Sequence, residues 1–186
     1  FASSILIPMD AKAQKNHLKA YGITYWVLTK KKKVQWLLNY RGGSFLLPDG
    51  ESIRQECQIR GVSYEILSDA QTQSILTEIG SPSQNQDAVI LEKAPRIAVY
   101  SPKENPPWDD AVTMVLTYAE IPYTTIYDEE VLGDKLVMYD WLHLHHEDFT
   151  GQYGKFYGAY RAAPWYIDGK QKAEELATKL GYNKVS

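Results

Sequence analysis

Residues able to do chemistry crowd into one stretch, Tyr139-Asp-Trp-Leu-His-Leu-His-His-Glu-Asp-Phe-Thr-Gly-Gln-Tyr-Gly154. Three of the chain's four histidines, His143, His145 and His146, fall within four residues, and Glu147 and Asp148 follow at once. Imidazole and carboxylate together suit zinc or manganese. A divalent metal held by His145, His146, Glu147 and Asp148 is therefore one expectation, and the only cofactor the residues suggest. The HxHHED order is not a recognised zinc spacing, and hydrogen bonds that pin the loop are the alternative. Thr150-Gly-Gln-Tyr-Gly154, with Thr150 and Gln152, can cradle an anion through backbone amides or form a plain turn.

The elements that must position these groups are strands. Leu136–His146 reads as a strand running into a polar loop, and the carboxyl end of a strand is where ligands collect in α/β folds. Alternation puts Trp141, His143 and His145 on one face and Leu142, Leu144 and His146 on the other. Two earlier strands, ending at Tyr100 and Ile126, lead into loops containing Asp109 and Asp128. Parallel strands finish on the same side. The expected pocket thus gathers His145, His146, Glu147, Asp148, Thr150, Gln152, Asp109 and Asp128. The acid pairs Asp109/Asp110 and Glu129/Glu130 also suit helix starts, where they favour the dipole.

A second loop, Asn39-Tyr-Arg-Gly-Gly-Ser-Phe45, offers Arg41, Gly42, Gly43 and Ser44 as an anion site. A guanidinium pairs with carboxylate or phosphate, and glycines allow close backbone approach. A turn is the alternative; without GxGxxG or GxxxxGK[ST] no nucleotide site follows. Lys30–Lys33 reads as a solvated turn. Cys57 is the single cysteine, placed inside a helix, so neither an internal disulfide nor a CxxC motif exists.

Three segments, 17–28, 56–67 and 116–127, share the order helix, break, tyrosine-containing strand. Gly22, Gly61 and Pro122 provide the breaks. This alternation predicts an α/β fold with a largely parallel sheet. Asp10 is the expected cap of a helix through Tyr21. Ile23–Leu28 and Val34–Asn39 then form a hairpin about the lysine turn. Further helices are expected from Ser68-Asp69 to Ile79, over Trp108–Tyr118 and over Lys170–Leu180. The domain expectation is an amino-terminal half over 1–80, a linker over 81–94 and a second half over 95–186. A last helix that feeds no strand suggests a truncated chain.

At 186 residues, with 44% hydrophobic content and a net charge of −3, the chain is globular and does not suggest a nucleic-acid binder. No run approaches the about 18 apolar residues of a membrane helix. Phe1-Ala-Ser-Ser4 resembles the small-residue end of a removed secretory signal, so a periplasmic or secreted location is expected, with a cytoplasmic one as the alternative. Fourteen tyrosines and five tryptophans suit a small-molecule or protein partner as well as a core.

Ile-Leu-Ile-Pro-Met-Asp10, Leu-Asn-Tyr-Arg-Gly-Gly-Ser-Phe45 and the histidine block resemble the front portion of exported Bacteroidetes proteins labelled asparagine synthetase B, glutamine-hydrolysing. The resemblance covers nearly the whole chain. It implies a class I glutamine amidotransferase-like fold, a flavodoxin-like sandwich with a mostly parallel sheet and helices on both faces. The implied activity is that of a hydrolase or amidotransferase. A non-catalytic periplasmic or surface binding module and a metal-dependent hydrolase are the competing readings.

Overall fold

Short apolar runs make the strands, and alternate residues of each strand face opposite sides of its sheet. The computed structural model describes residues 3–101, 111–144 and 158–182. The chain divides into two units, Phe1–Pro95 with Pro107–Tyr123, and Arg96–Pro106 with Thr124–Ser186.

The first unit holds β1 (Ser3–Ile7), α1 (His17–Thr29), β2 (Val34–Leu38), β3 (Ser44–Pro48), α2 (Glu51–Ile59), β4 (Glu65–Ser68), α3 (Asp69–Ile79), β5 (Asp87–Leu91) and α4 (Ala111–Ala119). Its sheet runs β4-β1-β3-β2-β5, and every neighbouring pair is antiparallel. Because β3 opposes both β1 and β2, those two strands run the same way with β3 between them. The connectivity β1-α1-β2-β3-α2-β4 in that order is a split βαβ, or ferredoxin-like, arrangement.

Strand alternation builds two cores. Ile5, Ile7, Val34, Phe45 and Leu47 meet Ala20, Ile23 and Val27 of α1 and Ile53 and Cys57 of α2. On the other face Leu6, Leu37, Leu46 and Leu67 meet Ile79, with Ile75 and Leu76 of α3 packed alongside. Each fully buried aliphatic side chain contributes about 2 kcal/mol. Gln14, 1% exposed, joins two loops: its amide donates to the carbonyls of Pro8 and Ser63, and its carbonyl accepts from the Ser63 amide.

The expected mostly parallel, flavodoxin-like sheet is therefore corrected: the larger sheet is antiparallel, and parallel pairing is confined to three strands elsewhere. Two local misreadings explain the difference. Ile23–Leu28, expected as a strand, continues α1. That helix is packed against both the sheet and α4, so it is apolar on more than one side and lacks the usual amphipathic stripe. Ser44–Pro48, hidden behind a glycine loop, is β3, and the hairpin joins β2 to β3 rather than flanking the lysines. Gly22 closes no helix, and Asn16 rather than Asp10 caps α1, accepting from the Lys19 amide. The span 81–94, expected as a linker, contains β5 paired with β2. As expected, Ser68 caps α3 and Gly61 adopts positive φ; the cap is a full capping box with Gln71.

The second unit holds β6 (Ile97–Tyr100), β7 (Thr124–Ile126), α5 (Asp128–Leu132), a 3-10 turn (Lys135–Met138), β8 (Trp141–Leu144) and α6 (Pro164–Lys179). Its three strands lie in the order β7-β6-β8, all parallel. The third expected strand is thus shorter than Leu136–His146, since residues 135–138 form the 3-10 turn. Among the described residues no helix is long and apolar enough to cross a membrane.

Helix α4 seats on α1 at Gly22, where a Cβ would stand 1.8 Å from the Ala119 carbonyl oxygen. Lys19 and Arg60 both pair with Glu120 at the end of α4, and Asn16 donates to the Tyr118 hydroxyl. In an open helix interior Gly→Ala stabilises by about 1 kcal/mol. Here Gly22→Ala is expected to destabilise by about 1–3 kcal/mol in urea unfolding, because α4 must move. A gain in stability would contradict this packing.

Candidate functional site

The parallel sheet brings three strand ends to one edge. In register, Tyr100 lies opposite Ile126 of β7 and Leu144 of β8, so all three strands finish together. The Tyr100 hydroxyl donates to Asp128 Oδ1 at 2.6 Å, and the Tyr100 and Tyr127 rings lie 5.2 Å apart. Ser101 is buried, and its amide donates to the Ile126 carbonyl at 3.0 Å, extending the β6–β7 pairing. The Tyr127 amide donates to the Glu130 carboxylate at 3.1 Å, which fixes the start of α5 and so the place of Asp128. At the opposite edge the Arg96 guanidinium forks onto Asp140, with Nε at 3.0 Å and Nη2 at 3.2 Å. That fork joins the starts of β6 and β8.

The arrangement offers a phenol, a carboxylate and two aromatic faces at the carboxyl edge of a parallel sheet. A carboxylate has several lone pairs, so one bond from Tyr100 leaves Asp128 able to accept an N–H or O–H from a ligand. Such a pair suits a small polar molecule with amide or hydroxyl groups.

Of the eight residues expected to form the pocket, Asp128 stands at this edge. Asp109, His145, His146, Glu147, Asp148, Thr150 and Gln152 lie outside the described residues. His143 meets the Trp141 ring edge-on, with centroids 6.4 Å apart, consistent with one shared face of β8. Among the described residues no group of three or more histidine, cysteine, aspartate or glutamate side chains is placed to hold a metal ion. Sequence reading passed over Tyr100, Ser101 and Tyr127. The available signal was position, since each ends or directly follows a strand.

The glycine loop does a different job. Arg41, Gly42 and Gly43 all have positive φ, which turns the chain from β2 into β3. A Cβ on Gly42 would stand 2.6 Å from the Met9 carbonyl oxygen, so close backbone approach requires glycine there. The amides of Gly43 and Ser44 both donate to the Tyr40 carbonyl at 3.0 Å, and the Ser44 hydroxyl donates to the Arg41 carbonyl. The guanidinium is paired with Asp10 at 3.2 Å and Glu65 at 2.9 Å. The Arg41 guanidinium, the Gly43 and Ser44 amides and the Ser44 hydroxyl are thus occupied by acceptors of the protein itself. Cys57 is fully buried on α2, and burial pushes its thiol up to about 11, so it is no nucleophile.

Partial desolvation raises the Asp10 carboxyl, but the Ala13 amide and the Arg41 guanidinium outweigh it and hold the group below its ordinary 3.8. A depressed folded-state value stabilises the fold above about pH 4 and is lost as pH falls through it. Arg41→Gln is therefore expected to lower the urea midpoint at pH 7, with the gap to wild type closing below about pH 4. A phosphate-dependent rise in melting temperature that vanishes in Arg41→Gln would instead make this loop an anion site. No known protein family, no curated protein and no solved structure matches this chain.

Proposed function

We propose that this protein is glutamine amidotransferase-like, a hydrolase or amidotransferase that takes a carboxamide at the edge formed by Tyr100, Ser101, Tyr127 and Asp128. The observation behind the proposal is the Tyr100–Asp128 hydrogen bond where three parallel strands end together. A primary amide matches such a pair, giving its N–H to Asp128 and laying its plane beside the two tyrosine rings. The resemblance in the histidine block points the same way, and His145 to Asp148 directly follow β8 in the chain. In this reading they supply neighbouring polar groups, and Cys57 has no part. Asparagine synthesis is no part of this proposal. A periplasmic or secreted setting belongs to the same proposal.

One feature favours a second reading, a non-catalytic binding module. Trp141, Trp165 and Tyr182 of the second unit are 48%, 52% and 50% exposed, and exposed aromatic side chains suit a protein or glycan partner.

The two readings separate in an assay of ammonia release from L-glutamine by the natural-length protein. Tyr100→Phe and Asp128→Asn are expected to lower the rate roughly tenfold or more, because the first removes a hydrogen bond to a charged group and the second removes the charge. Both variants should keep the wild-type circular dichroism. No ammonia release from folded wild-type protein would reject the enzyme reading and leave the binding module, whereas full activity in both variants would take the site away from the Tyr100–Asp128 edge.

A further inference from the structure

A pocket of about 350 Å³ opens in the first unit between the end of α1 and the start of α2. That volume falls in the range of small-molecule sites, about 300–1,000 Å³. Its wall is the half-buried Trp26 ring with Val27 and the fully buried Ile53, and its rim is Lys30, Lys32 and Ser52. The Lys30 ammonium stands 5.2 Å from the centre of the Trp26 ring, held over its face. The Lys32 ammonium lies beside Gly50, 3.8 Å from where a side chain there would begin. The neighbouring Lys33 is paired with Glu92, whereas no carboxylate pairs with Lys30 or Lys32 among the described residues. The nearby Glu51 accepts a hydrogen bond from Gln55.

We infer that this pocket binds a phosphorylated ring compound, a flat ring against Trp26 and a phosphate between Lys30 and Lys32. The chemistry has two parts that must act together. Two unpaired ammonium groups and the Ser52 hydroxyl can surround a phosphate, with charge-assisted hydrogen bonds from both lysines. When Lys30 turns to the phosphate it leaves the Trp26 face, and a flat ring takes its place against Trp26, Val27 and Ile53. A bare anion would use only the rim, and a neutral ring only the wall. The site is separate from the Tyr100–Asp128 edge and does not depend on the function proposed for it.

Adenosine 5′-monophosphate, inorganic phosphate and adenosine serve as probes in calorimetry at low ionic strength, with the Trp26 indole N–H followed by NMR. The nucleotide is expected to bind in the millimolar range or tighter, more tightly than either fragment, and to shift the Trp26 signal. Lys30→Ala/Lys32→Ala should weaken it roughly tenfold or more, while Lys12→Ala/Lys15→Ala, which removes equal charge elsewhere, should not. All four lysines lie at the surface, so the variants are expected to fold as wild type, checked by circular dichroism. An unshifted Trp26 signal, or equal binding by both double variants, would overturn the inference. Phosphate binding as tightly as the nucleotide would equally overturn it, by removing the ring from the site.

Discussion

The reversal of the chain between β2 and β3 is the constraint on which the first unit depends. Three consecutive residues, Arg41, Gly42 and Gly43, adopt positive φ, and Gly42 comes so close to the Met9 carbonyl that no side chain fits. The turn is then fixed from both sides: Met9 donates its amide to the Arg41 carbonyl, and the Trp36 indole donates to the Gly43 carbonyl. Trp36 also stacks on Phe45 of the returning strand. With the direction of β3 set, it can only run antiparallel to β2, and it fills the space between β2 and β1. Two helices then cover one face and α3 the other.

That constraint also decides where chemistry is available. Arg41, the residue most suggestive of an anion site, is committed to Asp10 and Glu65 in holding the turn. Cys57, the only thiol, is part of the core beneath α2. The polar groups left at a strand end belong to the second unit, where Tyr100 and Asp128 meet beside Tyr127. Parallel strands make this possible, because they deliver successive loops to one edge; the antiparallel sheet sends its loops to both.

Much of the second unit was legible in the sequence. Strands over residues 97–100 and 124–126 and their shared direction followed from β-branched runs and the break at Pro122, as did the intervening helix α4 of the first unit. The cap at Ser68 was equally readable, because it is local. What failed was long-range. Ile23–Leu28 has a strand's composition, yet it is helical because the sheet and α4 bury it from two sides. Gly22 reads as a helix end, but its purpose is to admit the Ala119 carbonyl, 90 or more positions along the chain. β3 was missed because glycines that normally mark a loop here mark a hairpin. The site was half legible: Asp128 was named for its place after a strand, while Tyr100 passed as one of fourteen tyrosines. Nothing local distinguishes a tyrosine that ends a central strand from one that packs in a core.

The proposed function requires ligand to meet the carboxyl edge of the parallel sheet rather than the glycine hairpin of the first unit. Backbone amide shifts recorded by NMR while L-glutamine is titrated into the natural-length protein test it most directly. The expected result is saturable movement of Tyr100, Ser101, Tyr127 and Asp128, with Arg41 to Ser44 unmoved. Movement centred on Arg41 to Ser44, or none at the Tyr100 edge, would contradict it.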